Sequence, residues 1–291
     1  MPDSVIYDRG YQSYQGESRG RAGARRAIVK DGIRRILGFR RSAKRKIFPW
    51  LMIGIGSITA VALVVARYLA GSFVKAAAEG LPSYPEFFDF YSGMVLLFVA
   101  FTIPEILGPD REHGVISVYF SRPLTVGDYL TGKALAYVVA ASSIFLIPQL
   151  VMYVGDAMIA DDGFLGYLIG NLDILAKVVV TTFAYVVALG ITLSVIGAFI
   201  NRTGFASVAF LTLNTIVASI IALSNFPGAK WASLLAFPEH ANYIRDSLFD
   251  VSSAGNPIRE YGFSVWWSVG ALVFFAFVGG RIVYSRYRRL A

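Results

Sequence analysis

The residues whose types and spacing come nearest to a chemical motif are Gly127-Asp128-Tyr129-Leu130-Thr131-Gly132-Lys133, which satisfy G-x-x-x-x-G-K. A phosphate-binding loop of that form needs a buried strand before it, a following helix whose N-terminus holds the phosphate, and a Ser or Thr after the lysine for magnesium. Here Ala134 follows Lys133 and no strand-like run precedes Gly127. Lys133 therefore reads as a residue at the foot of a membrane helix. Only two histidines exist, His113 and His240, and neither has H-E-x-x-H neighbours; no G-x-S-x-G elbow or paired-aspartate motif occurs. Zero cysteines exclude disulfides, thiolate metal sites and a cysteine nucleophile. No catalytic, metal or cofactor site of its own is expected in this chain.

The elements around these residues are membrane helices. Six long apolar runs occupy 47–66, 90–107, 134–155, 178–200, 203–229 and 261–280, with charged segments between them. About 20 helical residues rising 1.5 Å each cross a hydrocarbon core of roughly 30 Å. With 56% of its 291 residues hydrophobic and 16% charged, the chain is too apolar for an ordinary soluble domain. Backbone groups in lipid must pair internally, and runs without period-two alternation select helices over a barrel. The expected fold is an all-α membrane protein of six spans, residues 47–291, with almost no soluble body.

The net charge of +8 invites a nucleic-acid reading, but the positions of the 27 Lys and Arg indicate orientation instead. Of these, 21 fall before residue 47, in the segment 108–133, at Arg202 or in the tail from Arg281, which are all on one side of a six-span layout. Lys75, Lys230, Arg245 and Arg259 lie opposite, while Arg67 and Lys177 sit at helix ends where they can snorkel. The positive-inside rule then makes both termini cytoplasmic, in a multi-pass protein of the cell membrane. No nucleic-acid partner is expected. The first apolar run is too long and too far from the start for a cleaved leader, so span one is expected to be the targeting signal.

Residues 1–24 are rich in Gly, Ser, Gln and Arg and are expected to form a disordered tail. Over 25–46, Val29, Ile33, Ile36 and Leu37 recur at helical spacing among ten basic residues, including Arg34 and Arg35. That pattern predicts an amphipathic helix in the membrane interface, its basic face among lipid headgroups. In the loop 108–133, a short helix over 110–120 is weakened by Gly114 and its β-branched neighbours and ended by Arg122-Pro123. Thr125 and Asp128 then have the spacing of a capping box opening span three. In the longest external segment, 225–260, Trp231, Leu234, Leu235 and Phe237, then Tyr243, Ile244, Leu248 and Phe249, predict two short amphipathic helices broken at Pro238. They would cap the bundle or gate a pathway. The span centres carry no Asp, Lys or Arg, which weighs against a proton- or sodium-driven carrier.

Asp110-Arg111-Glu112-His113-Gly114-Val115, then Ser121-Arg122-Pro123-Leu124-Thr125, then Asp128 to Lys133, resemble the cytoplasmic loop of the type-two permease family of ATP-binding-cassette transporters. The whole layout is similar too: a basic interfacial helix, six spans, a helix between spans two and three, and a long external loop before span six. Asp110 stands where that family more often has Glu, and Val115 where it more often has Thr. The resemblance implies an exporter's membrane subunit, paired with a second copy or a sister permease and driven by separate cytoplasmic ATPase subunits that hold the ATP and magnesium. It implies an ATPase-contact surface at Arg111, Glu112, His113, Val115, Ile116, Tyr119 and Arg122, with Arg34 and Arg35 beside it. It further implies a pathway along spans two and five, with Phe98, Phe101, Thr102, Phe210, Asn214 and Thr215 as candidates. Asn214, near mid-span, has an amide able to hydrogen-bond between helices. A hydrophobic or amphipathic substrate would suit such a route. The alternative is an ATP-independent carrier or channel.

Overall fold

The computed structural model describes residues 20–39, 43–73, 80–120, 124–200, 202–223, 229–252 and 255–290. The described residues form twelve helices, and six of them are long and apolar enough to span a membrane. The chain is a multi-pass, all-helical membrane protein. In order, the helices are α1 (Gly20–Ile36), α2 (Ala43–Phe73), α3 (Tyr84–Glu112), α4 (Ile116–Phe120), α5 (Val126–Ile159), α6 (Phe164–Gly170), α7 (Leu172–Phe199), α8 (Thr203–Ala222), α9 (Ala229–Ser233), α10 (Phe237–Leu248), α11 (Pro257–Glu260) and α12 (Val265–Arg288). The spans are α2, α3, α5, α7, α8 and α12. We call the end bearing α1 and the last turn of α12 basal, and the opposite end distal.

Over half of the most apolar stretch of α3, α5 and α7 is buried within the chain, against 17% for α8 and α12. The first three therefore form the core and the others surround it. Its centre is aromatic: Phe88 of α3, Phe145 of α5 and Tyr185 of α7 pack with ring centroids 5.2–5.8 Å apart. Large rings fill volume between helices and prefer offset or tilted contacts at this range. Elsewhere small residues permit close approach. A Cβ at Gly56 of α2 would sit 2.7 Å from Pro148 of α5, and one at Gly190 of α7 would sit 2.3 Å from the Tyr137 ring.

Charge pairing at helix ends secures the outer spans. Near the distal end of α2, Arg67 donates to both oxygens of Asp156 on α5 at 2.8 and 2.7 Å and also to the carbonyl of Pro82. The Tyr84 hydroxyl of α3 donates to the same carboxylate at 2.9 Å. Arg67 is thus paired within the protein rather than merely snorkelling.

Several boundaries differ from the sequence expectation. Helix α1 begins at Gly20, so residues 20–24 belong to it and not to a tail; residues 1–19 lie outside the described residues. The basic helix expected over 25–46 is interrupted after Ile36, where Gly38 takes φ +70°, and helix α2 starts at Ala43, with its membrane-spanning part at Lys46–Phe73 close to the expected start of span one. Its buried face is Ile28, Gly32 and Ile36, set against α5 with Gly32 over Ala136 and Ile28 over Gly132, so α1 rests on protein and not only on lipid. In the segment 225–260, Pro238 opens α10 instead of breaking a helix, because a missing N–H in the first turn costs no intrahelical bond.

Candidate coupling site at the basal end

Helix α3 continues past its last apolar residue to Glu112, and the chain then turns at Gly114, whose φ of +64° favours glycine. The turn is closed by the Val115 amide donating to the Asp110 carbonyl at 3.1 Å. The expected helix over 110–120 is therefore split, with its first residues in α3 and the five-residue α4 after the turn. The capping box forms as expected: Asp128 N–H donates to Thr125 Oγ1 at 3.2 Å and Thr125 N–H to Asp128 Oδ2 at 3.0 Å. Arg21 of α1 adds an ion pair to Asp128 at 2.6 Å. The G-x-x-x-x-G-K match lies inside α5 from its second residue onward, so its backbone amides are helical and do not form a cradle.

Behind the turn sits a buried charge cluster. Asp110, 3% exposed, accepts from Lys133 Nζ at 2.6 Å, from the Tyr129 hydroxyl at 2.8 Å and from Arg35 Nη1 at 3.2 Å. Arg35 reaches back to Asp31 at 3.3 Å. Burial works against the Arg35 charge, but Asp110 and then Asp31 outweigh it and hold the guanidinium above its ordinary value. Burial, followed by the charge of Asp110, also pushes the Tyr119 phenol up. One carboxylate thereby binds α1, α3 and α5 together.

The expected contact surface divides into inward and outward residues. Arg111 turns inward: its guanidinium donates to the carbonyls of Ala198 at 2.8 Å, Ile200 at 3.0 Å and Gly197, and lies over the Tyr287 ring at 5.7 Å. It caps the C-terminus of α7, where unpaired carbonyls and the helix dipole favour a cation. Ile116 is also buried. Arg35 belongs to the charge cluster, and Arg34 lies half-buried in a groove with Gly132 and Leu135. Glu112 and His113 are exposed, and Val115 and Tyr119 are half-buried. Val118, not singled out from the sequence, is exposed as a β-branched apolar side chain on α4. Arg122 lies outside the described residues. Between α1, the end of α3 and α4 is an open cleft of about 830 Å³, whose lining includes Asp31, Glu112, His113, Val115, Val118 and Tyr119.

The route candidates differ in burial and in the groups they touch. Phe98 and Phe101 both pack on Phe48 of α2, at 6.3 and 5.7 Å, while Phe101 remains half exposed to the surroundings. Thr102 and Phe210 are buried and Thr215 is exposed. The Asn214 amide donates to the Phe210 carbonyl of its own helix at 2.9 Å, not to another helix. Helix α3 meets α8 through Ser207, whose hydroxyl donates to the Ala100 carbonyl at 2.6 Å.

A second polar cluster, at the distal end, was not anticipated. Helix α10 is buried against α7 and α12, and its Arg245 pairs with Asp89 of α3 and with Asp246 at 2.8 Å. Glu239 accepts from Asn242 at 3.1 Å, and burial holds the carboxyls of both Glu239 and Asp246 above the usual range. His240 is fully buried between Ser268 Oγ and the Leu234 carbonyl, each 3.0 Å away, and burial pushes its imidazole down. A group kept neutral by the fold stabilises it above its unfolded value of about 6.5 and loses that contribution as pH falls below it. Raised carboxyls act oppositely, losing stability as pH rises through their folded values. Melting curves of detergent-solubilised protein between about pH 7.5 and 5.5 should show His240→Gln less weakened by acid than the wild type. An identical acid response in both proteins would rule His240 out.

Among the described residues, no group of His, Cys, Asp and Glu is arranged to hold a metal ion. No protein-family model matches this chain, and no curated protein matches it in sequence.

Proposed function

We propose that this chain is the membrane half of an ATP-driven exporter, with both termini in the cytoplasm and its energy supplied by separate ATPase subunits at the basal end. The observation that carries the reading is the attachment of α4. Tyr119 of this exposed helix packs on Tyr129 of α5 at 5.3 Å, and Tyr129 packs on Tyr287 of α12 at 5.8 Å. The turn leading into α4 is bound through Asp110 to α1 and α5 and through Arg111 to α7. A push on α4 therefore bears on α3, α5, α7 and α12 at once. The excess of Lys and Arg in the basal segments supports the orientation. A second permease copy would complete the transporter, and an apolar or amphipathic molecule is its expected cargo.

The contact surface under this reading is the exposed rim of the cleft, Glu112, His113 and Val118, with Val115 and Tyr119 behind it. Purification of the tagged chain from its native membrane should bring down a soluble ATPase bearing a complete G-x-x-x-x-G-K-[ST] loop. The double variant Glu112→Lys/Val118→Asp should lower that recovery by about tenfold or more, the equivalent of about 1.4 kcal/mol, with an unchanged melting temperature. Undiminished recovery would remove α4 from the interface. Transport retained by the chain alone in vesicles would favour a self-sufficient carrier or channel.

A further inference from the structure

Between α3, α5, α7 and α12, in the basal half of the spans, lies a crevice of about 260 Å³ lined by Ile103, Ile106, Val186, Ile191 and Val283 among other apolar side chains. Small residues leave room for it: Ala134 on α5, and Ala276 and Gly280 on α12. Two of the three polar side chains at its wall are engaged elsewhere, Lys133 with Asp110 at 2.6 Å and the Tyr137 hydroxyl with the Val186 carbonyl at 2.9 Å, and the third is Ser194. The interior is thus largely apolar. Protein interiors are close-packed, and an apolar opening of this size is filled by whatever apolar matter surrounds it.

The mouth shows what that matter is. Ala134 and Gly280 line the crevice and are both exposed, on spans whose outward neighbours Leu135, Val273 and Phe277 are themselves exposed. In a spanning helix that surface faces lipid tails. A Cβ built at Gly280 meets nothing within 4 Å, so the opening is real space and not a packing contact. Basal to the mouth the chemistry changes. Along α12, Tyr284 follows Gly280 by one turn and Arg288 by two, and Arg281 shares a face with Arg288 at i,i+7. Arg281 and Arg288 are both exposed, and so is Thr131 one turn basal of Ala134 on α5. An apolar slot with the Thr131 hydroxyl and the Arg281 guanidinium level with its basal part, and the Tyr284 phenol and Arg288 guanidinium beyond it, matches a lipid with a negatively charged phosphate headgroup.

We infer that this crevice binds one anionic phospholipid of the surrounding bilayer, an acyl chain between α5 and α12 and the headgroup against Arg281, Arg288 and Tyr284. The inference requires only that the chain spans a membrane and stands whether or not an ATPase drives it. The test is native mass spectrometry of the full chain, delipidated in detergent and titrated with phosphatidylglycerol or phosphatidylcholine. The wild type should hold one phosphatidylglycerol at least about tenfold more tightly than phosphatidylcholine, a margin near 1.4 kcal/mol. Gly280→Leu, whose Cβ meets nothing within 4 Å and whose side chain would obstruct the mouth, should lose that molecule. Arg281→Glu/Arg288→Glu should abolish the preference while leaving weak binding of both lipids. Equal binding of the two lipids by the wild type would overturn the inference, as would undiminished phosphatidylglycerol binding in either variant. If Gly280→Leu fails to fold, the arginine variant decides.

Discussion

Asp110→Ala should destabilise the folded protein by about 3–5 kcal/mol, because it leaves the Lys133 ammonium buried without its carboxylate. Lys133 is only 3% exposed and its amine has Asp110 as its ion-pair partner at 2.6 Å. Arg35 would retain Asp31 at 3.3 Å, so the unpaired lysine carries most of the cost. Adding Lys133→Met to the same chain removes the orphan charge and puts an apolar side chain of similar length in its place. The double variant should recover more than half of the lost stability, as expected when a buried ion pair costs much in desolvation and is harmful chiefly when broken. Thermal melting of the four proteins in one detergent forms a complete double-mutant cycle. Purely additive losses would show that the two side chains do not act as a pair.

Arg111→Ala should separate stability from partner binding. Three carbonyls at the end of α7 lose a charged donor, and hydrogen bonds to charged groups contribute about 1.5–3 kcal/mol. Arg111→Lys should recover only part, since one ammonium cannot match the planar fork that reaches Gly197, Ala198 and Ile200 together. Under the proposed exporter reading, any remaining folded protein should still recover the ATPase normally, whereas Glu112→Lys/Val118→Asp should melt normally and recover it poorly. The opposite pattern, with Arg111→Ala stable and unable to bind, would return Arg111 to the exposed surface that its sequence neighbours occupy.

The spanning helices were legible because each is a run of apolar residues long enough for the bilayer, and no partner need be known to recognise one. The failed nucleotide motif was legible for a similar reason, as the residues flanking Gly127 and Lys133 lack the required context. The direction of Arg111 was not. It depends on α3 running on to Glu112 and on carbonyls 86–89 residues away, and only the folded chain brings those together. The same holds for Asp110 with Arg35 and for Arg245 with Asp89, pairs separated by 75 and 156 residues. Gly114 was correctly read as a weak point, but whether weakness means a frayed helix or a sharp turn rests on its positive φ. Asn214 looked like an interhelical bond because mid-span amides seek partners; the carbonyl one turn back in its own helix satisfied it first.

The Arg67–Asp156 pair also sets an order of manufacture. Arg67 leaves the ribosome 89 residues before Asp156, so the first span enters the membrane with a guanidinium that has no counter-ion until the third span arrives. A chain halted after span two would hold that charge near the lipid without its carboxylate. Loss of Asp156 should therefore be felt during membrane insertion of the third span, before the finished fold is tested.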